Sequence, residues 1–287
     1  MSLKEVKQRI ISVKNTQKIT SAMKLISAAK LRRAQSVIDG VRPYQQKLDE
    51  MLVTFLSGSQ HITTPYTRSS ETKRVAVIAI SSNSSLCGSF NANIIRLAKE
   101  VIDSYSSLEN NDIEIYPIGK KISDSLRKSG YNLKDSLMSQ STTPQYAEVS
   151  NVAYKLMQQF ANGELDRIEL VYTHFHSPAK QVATRETFLP IDLSALNSKG
   201  ENISHDFIVE PNREAIIEQL IPKVIAMRLY TALLDSIAAE HAARMLAMQI
   251  ATDNADDLIT TLVREYNKSR QQAITNELLD IVAGSMN

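Results

Sequence analysis

Tryptophan is absent from this 287-residue chain, aromatic residues make up only 6% of it, and it has a single cysteine, Cys87. One thiol can form neither an internal disulfide nor, alone, a zinc site, so a disulfide scaffold is excluded and a reducing compartment is expected. Eight glycines and eight prolines are too few for a collagen-like or low-complexity chain. No apolar run approaches the roughly 20 residues of a membrane span. The opening Met1–Ser2–Leu3–Lys4 begins no signal-peptide core. The expectation is a soluble, intracellular protein that is not embedded in a membrane.

A large excess of one charge is also missing: 33 Lys+Arg stand against 31 Asp+Glu, for a net +2. The balance is uneven along the chain. Residues 1–33 carry nine basic side chains and one acid, a net +8, whereas Glu210 to Asn287 is net −4. Opposite signs at the two ends imply that the ends meet, or that each meets a differently charged partner. A basic N-terminal helix also fits a nucleic-acid or membrane-surface element.

Stepping 3 and 4 alternately from Leu3 reaches Val6, Ile10, Val13, Gln17, Thr20, Lys24, Ser27, Leu31 and so on to Phe55. Eleven of these sixteen positions are apolar, the seam of a coiled coil. The spacing predicts a helix from about Leu3 to Leu56 with a bend near Pro43. A second seam runs through Met227, Tyr230, Leu234, Ile237, His241, Arg244, Met248, Ala251, Ala255, Leu258 and Leu262. It continues after a phase shift at Tyr266, Ile274, Leu278 and Ile281. Pro222 reads as the first residue of that helix, where its missing N–H costs nothing. Helices this long and of opposite charge are expected to wrap around each other as an antiparallel coiled coil.

Between them the period shortens. Arg74–Ile80, Ile113–Ile118 and Ile168–Tyr172 read as buried strands, with helices near 91–107, 120–129 and 145–162. Alternating strands and helices argue for a parallel, Rossmann-like α/β sheet, with Thr184–Leu189 added as an antiparallel strand. The expected organisation is a coiled-coil helix over 1–58, an α/β domain over 70–210 and a second coiled-coil helix over 211–287. Polar linkers at Gly58–Ser70 and Leu193–Ser204 mark the edges.

An α/β middle invites a nucleotide, but neither G-x-G-x-x-G nor G-K-[ST] occurs. The Ser81–Asn91 stretch after the first strand reads as a strand-to-helix turn, its alternative being an anion held by backbone N–H groups at the helix start; Gly119–Lys120–Lys121 after the second reads as a turn into a helix with solvated lysines. His174 and His176 flank Phe175 and point the same way, yet no third metal ligand is near them in sequence. His61 falls in the first linker and His205 directly after the second. His241 lies on the seam, where it is expected to make a polar contact to the partner helix. Cys87 has no histidine spaced to activate it. No catalytic residue, metal site or cofactor is expected.

The seams say more. Gln17, Thr20, Lys24 and Ser27 dilute one apolar stripe, and His241 and Arg244 dilute the other. Either this sets register, or the stretch must contact something else, or loosen and turn. Near the end of the second helix, Arg270 offers a planar five-donor fork, and Gln271, Thr275 and Glu277 add donors and acceptors. Such a cluster suits either polar docking or a solvated face.

At these residues the chain resembles, over essentially its whole length, the gamma-subunit family of F-type, proton-transporting ATP synthases. The resemblance rests on Ile19–Lys30, Leu86–Asn91, Glu240–Met248, Ala251–Ala255, Tyr266–Gln271 and Ile274–Glu277. Two departures stand out: Asn83, Ser84 and Ser85 replace the family's Asp, basic residue and Gly, and Gly284–Ser285 replaces its usual Gly–Ala. The resemblance implies a non-catalytic central-stalk rotor of the proton-transporting ATPase. Its coiled coil would stand within three alpha and three beta subunits, and its α/β part would meet the epsilon subunit and the membrane c ring. It implies that Arg270, Gln271, Thr275 and Glu277 contact a beta-subunit loop, and that Met23, Lys24 and Arg244 form a coupling region in which Met23 and Lys24 face Arg244 and an acidic beta-subunit lever. It places the chain, as a peripheral protein, on the cytoplasmic face of a bacterial inner membrane. A Rossmann-like oxidoreductase and a coiled-coil nucleic-acid binder are the alternatives that the resemblance sets aside.

Overall fold

The computed structural model describes residues 3–57, 64–68, 71–106, 112–135, 144–191, 210 and 212–285. In chain order these form α1 (Leu3–Ser57), a 3-10 turn (Pro65–Thr67), β1 (Val75–Ile80), α2 (Phe90–Asp103), β2 (Ile113–Ile118) and α3 (Lys120–Lys128). They continue with α4 (Tyr146–Ala161), β3 (Arg167–Ser177), β4 (Lys180–Leu189) and α5 (Arg213–Ser285). His61, His205 and the Leu193–Ser204 linker lie outside the described residues. By packing, the chain divides into two compact units: Lys30–Ala243, and Met1–Ala29 together with Arg244–Asn287.

The first unit is a four-stranded sheet in the order β2-β1-β3-β4, with β1 parallel to β2 and β3, and β4 antiparallel to β3. Every residue of β1 is buried, as expected of a central parallel strand covered on both faces. On one face Ala76, Ile78, Tyr116, Leu170 and Tyr172 pack with Leu156 and Phe160 of α4, Leu52 and Phe55 of α1, and Ile221 and Leu233 of α5. On the other, Val75, Val77, Ala79, Ile115 and Val171 meet Ile94 and Ala98 of α2 and Ile122 and Leu126 of α3. The period-2 alternation of β-branched residues thus feeds two cores at once.

Two expectations need correction. Pro222 does not begin the last helix: α5 starts at Arg213 and runs through Pro222. The start is supplied by Asn212, whose Oδ1 accepts the Ala215 N–H at 2.8 Å, satisfying a donor the first helical turn cannot pair internally. Second, β3 and β4 run well beyond the stretches expected for them, to Ser177 and back from Lys180. The apolar run alone stops at Tyr172 because polar residues follow it, but the placing of His174 and His176 on one side of a strand end agrees with β3.

The second unit pairs the first half of α1 with the second half of α5. Gln17 Nε2 donates to Asp256 Oδ1 at 2.9 Å, the hydroxyls of Thr20 and Thr252 lie 2.8 Å apart, and Lys24 Nζ donates to Gln249 Oε1 at 2.6 Å. Position rises on α1 as it falls on α5, so the helices are antiparallel. Val6, Met248, Ala255 and Leu262 are buried, as the seam spacing requires. The stripe does not stay buried to its end: Leu278 is 58% and Ile281 68% exposed. The register explains this, because it sets Leu3 opposite about residue 270, and α5 beyond that point outruns α1.

Candidate functional site

The carboxyl ends of parallel strands, where the order reverses beside β1, are where an open α/β sheet normally takes a ligand. Here the chain itself occupies that place. The turn after β1 is folded around Ser82 and Asn91. Asn91 Oδ1 accepts from the Ser82 backbone N–H at 3.2 Å, and its Nδ2 lies 3.1 Å from Cys87 Sγ. Leu86 and Gly88 both take positive φ, 67° and 57°. The reversal directs Cys87 and Phe90 inward, onto Ala239 and Ala243 of α5 and against Phe175. Cys87 is 1% exposed, and its role is packing.

The α3 N-terminus is likewise closed. Asn83 Oδ1 accepts from Lys120 N at 3.0 Å, Ser81 Oγ from Ile122 N at 3.0 Å, and the Ser82 carbonyl from Lys121 N at 3.1 Å. Backbone donors that would hold a phosphate therefore already have protein partners. Gly119 is required at this junction: its φ is +106°, and a Cβ there would stand 2.2 Å from the Ser81 carbonyl oxygen. Asn83, a departure from the family pattern, still supplies the acceptor that caps α3.

His174 and His176 share one side of β3, their rings edge to face with centroids 4.7 Å apart. His174 Nδ1 is hydrogen-bonded to Asp235 of α5, tying the sheet to that helix. Burial pushes the Asp235 carboxyl above the usual range, and the nearby His174 and Arg42 only partly counter it. Among the described residues no group of three or more His, Cys, Asp or Glu side chains is arranged to hold a metal ion.

A buried charge cluster on the α2 face was not apparent from the sequence. Glu169, wholly inaccessible, accepts from Arg167 Nε at 2.7 Å, Tyr105 Oη at 2.7 Å, and Arg185 Nε and Nη2, each at 3.1 Å. Burial alone would raise its pKa, but the hydrogen bonds from Arg185, Arg167 and Tyr105 outweigh it and hold the carboxyl below the usual range. The available signal was a lone acid inside an apolar strand, diagonal to an arginine on the next strand. Glu169 pairs with Thr187 and Val171 with Arg185.

The residues singled out on the terminal helices all fall in the second unit. Met23 is half-buried and Lys24 is held by Gln249; Gln249 Nε2 in turn donates to Asp253 Oδ1 at 2.6 Å. The same register sets Met23 opposite about residues 249–250 and Arg244 opposite about 28–29. Arg244 is 8% exposed, an interior guanidinium that has an interaction partner. His241, one turn earlier and in the first unit, is equally buried and also has an interaction partner. Arg270, Gln271, Thr275 and Glu277 are exposed, on the stretch of α5 beyond the end of α1. Of these, the Thr275 hydroxyl is turned back to the Gln271 carbonyl at 2.9 Å. No contact joins Arg270 to Glu277 among the interactions seen.

The polar break in the seam is a three-rung ladder. The α1 side was legible as Gln17, Thr20 and Lys24. The α5 side was not, because Gln249, Thr252 and Asp256 each stand one position beyond the apolar seam residues Met248, Ala251 and Ala255. The central rung has an unusual proton count: Thr20 Oγ1 lies 3.0 Å from the Gln17 carbonyl, Thr252 Oγ1 lies 2.8 Å from the Met248 carbonyl, and the hydroxyls lie 2.8 Å from each other.

No helix among the described residues is long and apolar enough to cross a membrane. A family model described as ATP synthase matches residues 2–286. The chain is 48% identical over 295 residues to the ATP synthase gamma chain of Bacteroides thetaiotaomicron, covering 99% of each chain. It is 50% identical over 287 residues to that of Phocaeicola vulgatus, again covering 99% of each. Among solved structures, the central stalk and c ring of the Tetrahymena thermophila mitochondrial ATP synthase includes a chain with TM-score 0.59 and 26% identity; the match covers 81% of this chain and 99% of that one. A rotor chain of the Euglena gracilis mitochondrial enzyme shares the fold, with TM-score 0.66 at 19% identity, covering 95% and 98%.

Proposed function

Because this chain belongs to the ATP synthase family, as a gamma chain of its central-stalk rotor, we propose that it transmits torque without catalysing any reaction itself. The observation that carries this is the similarity along its full length to ATP synthase gamma chains, joined to an antiparallel pairing of the terminal helices. In this reading the helix pair stands inside a ring of three alpha and three beta subunits. The α/β unit meets the epsilon subunit and the c ring, at the cytoplasmic face of a bacterial membrane. ATP chemistry belongs to the beta subunits, in keeping with a sheet whose usual ligand crevice is filled by Cys87, Phe90 and α5.

The shaft works by differential binding. A surface that is not three-fold symmetric presents a different face to each of three equivalent partners, and each orientation favours one partner conformation over another. Arg270, Gln271, Thr275 and Glu277, projecting from α5 beyond the end of α1, would dock a beta-subunit loop; an arginine fork is suited to carboxylate or carbonyl groups presented in a plane. Met23 and Lys24, both half-buried, would face an acidic beta-subunit lever, with the buried Arg244 behind that surface, and the net +8 of the first 33 residues supplies the complementary field.

The test is ATP turnover by purified alpha and beta subunits with and without this chain. Formation of a stable complex with much faster, cooperative, sustained hydrolysis is the expected result. A chain that neither joins the complex nor alters turnover overturns the reading.

A further inference from the structure

Resting on the reading that Lys24 belongs to the coupling surface, we infer that Gln249 and Asp253 are positioning residues that fix where its ammonium sits. Lys24 Nζ donates across the helix pair to Gln249 Oε1 at 2.6 Å, and Gln249 Nε2 donates to Asp253 Oδ1 at 2.6 Å, one turn further along α5. The glutamine amide has only one useful orientation here. An ammonium needs the carbonyl oxygen and a carboxylate needs the NH₂, so a flip would break both contacts. Hydrogen bonds with a charged group at one end are shorter and stronger than neutral ones, and this short chain has a charge at each end.

A lysine on its four-carbon stem is otherwise a mobile point charge. Through Gln249 it is held on the seam, half-buried, with the exposed Asp253 as the anchor. An acidic partner sweeping past then meets the cation at one place on the shaft instead of over an arc. Orientation-dependent discrimination requires this, because a charge free to follow its partner would favour all orientations alike.

The experiment compares proton pumping per ATP hydrolysed in membrane vesicles carrying the whole enzyme. Lys24→Met should lower the ratio. Gln249→Met, isosteric but unable to bond at either end, should lower it too, by roughly twofold or more as expected for groups in one hydrogen-bond chain. The double variant should be no worse than Lys24→Met alone, a non-additivity that general destabilisation would not produce. Asp253→Asn keeps a carbonyl oxygen for Gln249 and should retain coupling, whereas Asp253→Ala should lose it. If Lys24→Met pumps normally, the assignment of Lys24 to the coupling surface fails. If Lys24→Met is impaired while Gln249→Met is normal, or if the two losses add, the positioning role fails and that assignment stands.

Discussion

Replacing Glu169 by Gln probes the α/β unit where its polar interior is most concentrated. The carboxylate has no exposed surface and receives hydrogen bonds from Arg167, Arg185 and Tyr105. Breaking a buried ion pair costs about 3–5 kcal/mol when the remaining charge is stranded. Here the survivors are arginines whose side chains are 35% and 37% exposed, so water takes over part of their solvation. The discounted expectation for Glu169→Gln is about 2 kcal/mol, or a drop in melting temperature of roughly 4–8 °C for a chain of this size. Arg185→Met leaves the acid, which water cannot reach, with only Arg167 and Tyr105 as donors, and should cost more than Glu169→Gln, about 3 kcal/mol. Urea and thermal unfolding of the full chain, followed by circular dichroism at pH 7, measure both. The pH dependence has a definite sign. Because the folded pKa of Glu169 is depressed, its contribution is complete above the ordinary glutamate value of about 4.3. It is lost as pH falls through the folded value, so the gap between parent and Glu169→Gln should close on acidification. Equal stability at pH 7, a gap that widens in acid, or Arg185→Met proving the milder change would refute the reasoning.

The remaining predictions concern separate parts of the chain. Gly119→Ala meets both an unfavourable φ and the Ser81 carbonyl; it should destabilise by more than the roughly 1 kcal/mol that the same change gains at a compatible site, read as a lower urea midpoint with unchanged slope. Asp235, with a raised folded pKa, contributes most below its unfolded pKa and progressively less as pH rises through the folded one. Asp235→Asn should therefore gain stability relative to the parent between pH 4 and pH 7, and parallel stability curves would count against this. Met23→Lys adds a cation beside Lys24 and within two helical turns of Arg244. It should uncouple hydrolysis from pumping, and unchanged pumping per ATP in vesicles would sink the idea.

Much of this architecture can be read from residue spacing alone. The apolar alternation in Val75–Ile80, Ile113–Ile118 and Ile168–Tyr172 located three strands, and the 3–4 steps from Leu3 and from Met227 located both long helices. Local signals that compete were read less well. Pro222 misleads as a helix start, because a proline flanked by strong helix formers and tertiary packing can sit inside a helix. Leu278 and Ile281 read as seam residues because periodicity records amphipathicity, not whether a partner helix extends that far. The side-chain relay from Lys24 to Asp253 and the pairing of Glu169 with Arg185 depend on register between segments distant in sequence. Spacing within one segment carries no information about that register. The cluster near Arg270 stands out by residue type, but its docking role comes from the family resemblance alone, since an exposed polar helix end looks the same whether it binds or is merely hydrated.

The rung between Thr20 and Thr252 has a consequence of its own. Two hydroxyl protons serve three short contacts, so one contact is always served by a lone pair facing a lone pair, unless a proton is shared. The protons can be arranged in more than one way on the same oxygen framework, as in ice. A rung with this degeneracy keeps some disorder in the folded state and loses less entropy on forming than an apolar layer locked into single rotamers. It also has no single hydrogen bond that must break when the two helices twist slightly against each other, because a hydroxyl rotation replaces one arrangement with another.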